Sequence, residues 1–204
     1  SGKSTVANLL MRFYDVTDGS IVVDGKNVKN YSPEDLRDKI GYVPQKAFLF
    51  SGTIADNLRH GKKDATEEEM RRAAEISQIA DFIDEKPEGF AYPVAQGGTN
   101  FSGGQKQRLS IARAIIKKPD IYIFDDSFSA LDFKTDAKLR AALKDEVGDS
   151  AVIIVAQRIS TILDADQILV LDEGKLVGKG THSELIENCE VYRQIAHSQL
   201  SEEE

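Results

Sequence analysis

The chain has 204 residues, enough for one large or two small domains with a buried core. Its 34 acidic against 26 basic side chains leave a formal charge of −8, which argues against a general nucleic-acid binder with a basic face. The single cysteine, Cys189, excludes an internal disulfide framework and fits a reducing compartment, where it reads as a small semi-buried residue near a helix. The longest apolar run, Ala151 to Ala156, is strand-sized and far short of the ~20 residues that cross a bilayer.

In chain order, "SGKSTVANLLMRFY" sets Val6, Leu9, Leu10 and Phe13 at helical spacing, so a helix is expected from the first few residues. "GSIVVDGKNV" alternates like two strands around the Asp24-Gly25 hairpin signal. "SPEDLRDKI" supplies Ser32 as N-cap and Pro33 at the first helical position. "IGYVPQ" is a short buried strand that ends at Pro44. From about Thr53 the texture turns charged and helical. Thr66 and Glu69 form a capping-box pair ahead of one expected helix, "MRRAAEISQIADFI". A Gly-rich loop then leads to a helix through Leu109, Ala112 and Ile116. The strand "IYIFDD", a helix near Lys134 to Glu146, the strand "AVIIVAQ" and the hairpin "QILVLDEGKLVGKG" follow. Thr181 and Glu184 cap a final helix, and "SEEE" is expected to fray.

Strands alternating with helices imply an α/β fold, a largely parallel sheet with helices on both faces. The helical stretch, residues 53–118, is expected to be a subdomain inserted into a core made of 1–52 and 119–204.

Three motifs carry chemistry. "GKST", Gly2 to Thr5, matches the end of a phosphate-binding loop. Gly2 lets the backbone close on an anion, the helix offers its positive end, Lys3 reaches the β and γ phosphates, and the Ser4 hydroxyl can ligate Mg²⁺. Read alone, the same four residues are also a plausible helix start. "IYIFDD" delivers two carboxylates at the C-terminal end of an apolar strand, where α/β proteins bind ligands, and Asp125 suits Mg²⁺. Its bland alternative is a strand that stops at a solvated turn. "SGGQKQR" places two glycines before a helix, with Ser102 as cap and Gln105 in the first turn, and so forms a second anion-binding helix start. Two phosphate cradles in one chain suit a head-to-tail dimer, in which each cradle closes over the other subunit's nucleotide.

With these motifs in order, the chain resembles the nucleotide-binding domain of an ATP-binding cassette (ABC) transporter along essentially its whole length. Ser1, Gly2, Lys3, Ser4 and Thr5 match the end of Walker A, and Gln45 in "GYVPQ" matches the Q-loop. "FSGGQ" is similar to the signature, giving Ser102, Gly103, Gly104 and Gln105, with Phe101 where leucine is usual. Asp125 closes Walker B, Asp132 ends the D-loop "SALD", and Gln157 stands at the switch-histidine position. The resemblance implies a P-loop NTPase core that binds ATP and Mg²⁺, the metal held by Ser4, Gln45 and Asp125. It further implies two partners, a second nucleotide-binding domain and the transmembrane domain of the same transporter, at the cytoplasmic face of the membrane. "FLFSGTIADNL" and "AQGGTNFSGGQKQRLSIARAI" are similar to the exporter branch. The first sheet strands, the early phosphate-loop glycines and the adenine-stacking aromatic of that family would lie ahead of Ser1. By itself the chain is therefore expected to bind ATP weakly and hydrolyse it negligibly.

Two positions expected at the γ-phosphate depart from the family. Asp126 stands where the catalytic glutamate is usual, one methylene short. Gln157 can donate a hydrogen bond but carries no titratable proton. Gln96 also replaces a common glutamate ahead of the signature. None of His60, His182 and His197 lies where it could replace the switch histidine. Each change alone reads equally as tolerated drift. Together, Asp126 and Gln157 as the catalytic pair imply the degenerate, slowly hydrolysing half of a heterodimeric exporter. The alternatives are a slow homodimeric exporter and a non-transport ABC ATPase.

Overall fold

The computed structural model describes residues 2 to 201; Ser1 and the expected frayed end at 202–204 lie outside the described residues. The chain divides into two compact units, residues 1–30 with 154–204, and residues 31–153.

In the first unit, α1 (Lys3–Leu10) starts at the motif that the sequence places there. Strands β1 (Val22–Val23) and β2 (Lys26–Asn27) pair antiparallel. The turn between them puts both Asp24 and Gly25 at positive φ, the geometry that Asp-Gly favours in a two-residue hairpin.

In the second unit, α2 (Pro33–Lys39) begins as expected, with the Ser32 hydroxyl accepting from the Asp35 N–H at 3.1 Å. Its C-terminal end is held by Lys117, whose ammonium donates to the carbonyls of Arg37 and Ile40. Half-burial pushes that lysine's pKa down. Strand β3 (Ile40–Val43) follows, then the short β4 (Gly52–Thr53) and α3 (Ile54–Arg59). Asn57 is 1% exposed and spends its whole amide on the backbone, accepting from Phe50 N and donating to the carbonyls of Phe50 and Thr53. It thereby folds the segment after Gln45 back onto α3.

The Thr66–Glu69 capping box opens α4 (Glu67–Ile76), as the sequence implies. The single helix expected from "MRRAAEISQIADFI" is instead two. Gln78 turns left-handed at φ 62°, and α5 (Ala80–Asp84) starts anew. The Gln78 amide donates to the carbonyls of Glu75 and Ile76, and Arg108 takes the Gln78 carbonyl at 2.7 Å, so a residue thirty positions away fixes the break. Strand β5 (Pro93–Val94) pairs antiparallel with β4. Helix α6 (Gly103–Lys117) is the buried spine of this unit and packs on α3, α4 and β3.

Strand β6 (Ile121–Asp125) lies beside β3 in parallel register, Ile40 opposite Ile121 through Val43 opposite Phe124. Helix α7 (Phe133–Glu146) leads to β7 (Ala151–Val155), which flanks β6 on its other side in a three-stranded sheet. The apolar run of β7 predicts a buried strand, yet it sits at the sheet's edge and stays partly exposed. The expected α/β fold with a parallel sheet is what the chain adopts.

Within β7 the chain passes back into the first unit. Strands β8 (Ile168–Asp172) and β9 (Lys175–Gly180) form the expected hairpin, again with two positive-φ residues, Glu173 and Gly174, at its turn. The Thr181–Glu184 box caps α8 (His182–Asn188), and α9 (Glu190–Leu200) follows. Ile159, Ile168, Val170, Leu185, Cys189, Tyr192 and Ala196 form this unit's apolar cluster.

Replacing Asn57 by Ala strands three partly buried backbone groups at once. We expect a loss of about 2–3 kcal/mol in chemical denaturation, with the midpoint shifted and the slope unchanged.

Candidate functional site

In the first unit, Gly2 caps α1 at φ 92°, a left-handed conformation that costs glycine little. Lys3 and Ser4 thus occupy the first turn of a helix whose N-terminal end is positive. The Lys3 ammonium donates to the carbonyl of Ala156 at 3.3 Å. Ala156 directly precedes Gln157, so Lys3 and the residue expected at the switch position share one neighbourhood. Gln157 itself is exposed, and its carbonyl accepts from Gln199 at 2.6 Å. Gln199 is a residue that sequence reasoning misses, because nothing local in α9 marks it. Ser1, assigned to the same loop, lies outside the described residues.

In the second unit, the β3–β6 register builds the other cluster. Val43 faces Phe124, so two residues on, Gln45 and Asp126 emerge side by side, and the Gln45 amide donates to the Asp126 carboxylate at 3.2 Å. The end of the strand pair is fixed from below. Ser127 donates to the Val43 carbonyl at 2.9 Å, and the buried Gln107 of α6 reaches that of Pro44 at 3.4 Å. Asp125 is buried at 4% exposure, a carboxylate held where little water reaches it. Burial pushes the Tyr42 phenol up, and the charge of Asp125 adds to the shift. Asp126 adopts φ 49°, an αL conformation that Asp and Asn tolerate better than most residues.

The signature residues stand at the start of α6. Ser102 and Gln105 cap each other: the Ser102 hydroxyl accepts from Gln105 N, and the Gln105 side chain accepts from Ser102 N at 2.9 Å. Accepting that bond leaves the hydroxyl proton of Ser102 as a donor. Gly103 has open space around its Cβ position, whereas a Cβ on Gly104 would touch the Ala130 carbonyl at 3.5 Å. The signature therefore lies against the "SALD" turn. Arg108 ties the first turn of α6 to the helix break, donating to Gly104 O and Gln78 O. Phe101 sits in an aromatic group with Phe82 and Tyr92, the two rings over which the Lys86 ammonium lies. The larger ring in place of leucine is accommodated by this group. Gln96, ahead of the signature, is exposed.

Asp132 caps α7, its carboxylate accepting from the N–H and the hydroxyl of Thr135, and these bonds hold its pKa below the usual carboxylate range. The histidines are occupied elsewhere. His60 stacks on Phe50, His182 bonds Tyr192, and His197 lies on α9.

Two outcomes follow from this geometry. Asp126→Asn keeps both the αL turn and an acceptor for Gln45, so thermal unfolding should leave stability within about 0.5 kcal/mol of the parent. The Asp132 cap is stronger when ionised. Its contribution should be complete above the ordinary aspartate pKa of about 3.9 and vanish as pH falls through the lowered value. Asp132→Asn should flatten that part of an acid-denaturation profile.

Comparison with known proteins gives a consistent answer. The family model described as ABC transporter matches residues 1–129. An uncharacterized ABC transporter ATP-binding protein of Mycobacterium bovis is 52% identical over 202 residues, covering 98% of this chain and 34% of its own. An ATP-dependent lipid A-core flippase of Photobacterium profundum is 41% identical over 99% of this chain and 35% of its own. A bacterial Atm1-family ABC exporter, solved with ATP bound, superposes with a TM-score of 0.94 at 40% identity, over 98% of this chain and 35% of that one. The chain thus spans about a third of the length of the relatives it matches. With the family match over residues 1–129, and likeness over nearly its full length to curated ABC transporter proteins and to a solved exporter, the chain belongs to the ABC transporter family and has the P-loop α/β fold of that exporter's matching domain.

Proposed function

We propose that this chain binds ATP and Mg²⁺ and couples them to transmembrane export, as one of two head-to-tail nucleotide-binding domains at the cytoplasmic face of a membrane. We further propose that its own Walker-side chemistry is weakened and that its partner is a non-identical chain. The observation that carries this reading is the Gln45–Asp126 hydrogen bond, which occupies a carboxylate already one methylene short of the family's glutamate. Residues 53–118 are the signature-bearing subdomain in this proposal, and 1–52 with 119–204 the core.

The donor set fits the ligand. The Ser4 hydroxyl, the Gln45 amide oxygen and the Asp125 carboxylate are hard oxygen donors of the kind Mg²⁺ prefers. Magnesium, when bound, neutralises charge on the phosphates and draws electrons from the terminal phosphorus. Lys3 exchanges the Ala156 carbonyl for phosphate oxygens, aided by the positive end of α1. Asp126 orients water from too far back, and a misplacement of about 1 Å can cost on the order of 100-fold in rate. Gln157 holds the γ-phosphate by a hydrogen bond without proton chemistry. Ser102, Gly103, Gly104 and Gln105 serve the partner's nucleotide, with Asp132 beside them, and there the chain retains full function. ATP bound through this chain's Walker residues then persists over many turnovers and keeps the two domains associated.

Steady-state ATPase assays of the reconstituted pair test the ordering. Removing the partner's catalytic glutamate should abolish turnover, whereas Asp126→Asn should reduce it less than about threefold, under 1 kcal/mol of barrier. Gly103→Asp should be severe, because it sets a carboxylate against the partner's γ-phosphate. Equal damage from Asp126→Asn and the partner's glutamate variant would mean that the two sites are equivalent, and the asymmetric reading would fall.

A further inference from the structure

Residues 156 to 159 are held from two sides. On one side Lys3 donates to the Ala156 carbonyl at 3.3 Å. On the other, one amide group spans the turn: Gln199 Nε2 donates to the Gln157 carbonyl at 2.6 Å, and Gln199 Oε1 accepts from the Ile159 N–H at 2.7 Å. Only this orientation of the amide satisfies both backbone groups. A planar amide bonded at both ends fixes the path of Gln157, Arg158 and Ile159, and so the direction in which the side chain at 157 leaves the backbone.

The clamp has a firm base. Tyr192, Ala196 and Gln199 share one face of α9 at helical spacing. Tyr192 and Ala196 are buried in the cluster that also takes the Ile159 side chain. The Tyr192 hydroxyl is further bonded to His182 at 2.8 Å. Ile159 is thus anchored by its side chain in the core and by its N–H on Gln199, while Gln157 stays exposed.

We propose that Gln199 is a positioning residue for the switch position, holding Gln157 in place when Lys3 leaves the Ala156 carbonyl for a phosphate. This rests on the proposed reading that Gln157 addresses the γ-phosphate. While Lys3 is on Ala156, both Lys3 and Gln199 hold the turn by hydrogen bonds to its backbone. Once the lysine is drawn to phosphate, Gln199 still holds the turn from the C-terminal helix, and α9 becomes the element that feels the nucleotide through the switch.

The test uses the intact exporter and radiolabelled ATP, with retained label followed after free nucleotide is removed. Exchange of the Ile159 amide with deuterium and the thermal midpoint are measured alongside. Gln199→Leu should release label about tenfold faster, the effect of losing one or two net hydrogen bonds. It should speed exchange at Ile159 and lower the midpoint only slightly, since most of the fold is untouched. Gln199→Glu keeps an acceptor for Ile159 but sets an acceptor against the Gln157 carbonyl, and should also release label faster; it replaces the leucine variant if that one fails to fold. Label held as long as in the parent would overturn the proposal. Should the parent itself retain no ATP, the asymmetric reading of the previous subsection fails, and the clamp is then judged by kinetics. A kcat about tenfold lower at unchanged KM supports it, and an unchanged kcat overturns it.

Discussion

The parallel register of β3 on β6 is the constraint on which the rest depends. With Val43 opposite Phe124, the chain has no freedom over what comes next: two residues on, an amide and a carboxylate meet. Ser127 and Gln107 bond the carbonyls of Val43 and Pro44, so the strand ends cannot slide without breaking buried hydrogen bonds. A slip of one residue would also turn the buried Tyr122–Phe124 ring pair, stacked at 5.9 Å, out of its packing. The Gln45–Asp126 pair at the tips is therefore a consequence of packing along the strands.

Much of this was legible in the sequence, and the legible parts share a cause. Caps at Ser32, Thr66 and Thr181 and the turns at Asp24-Gly25 and Glu173-Gly174 are decided within four residues, by groups that bond their own neighbours. The features that were not legible are decided at long range. Gln78 reads as a helical residue, and only Arg108, brought in by α6, makes it a break. Asn57 reads as a surface polar residue but closes three backbone groups. Gln199 lies some forty positions from the turn it spans, in a helix whose own pattern gives its amide no task.

The departures at Asp126 and Gln157 also differ in kind. Asp126 is a change of length at a fixed place: its backbone sits where the register sends it, and its side chain stops one bond early. Gln157 is a change of chemistry at a fixed place, since Lys3 and Gln199 hold the backbone there regardless of the side chain. In both cases the scaffold around the departing side chain is kept.

The Ser102–Gln105 capping box has a consequence for how fast two such domains meet. Because the serine and glutamine already bond each other within one chain, the start of α6 is complete before any partner arrives. In the proposed pair, docking onto a second domain would need no ordering of that turn, and its association rate would be set by diffusion and orientation rather than by a folding step.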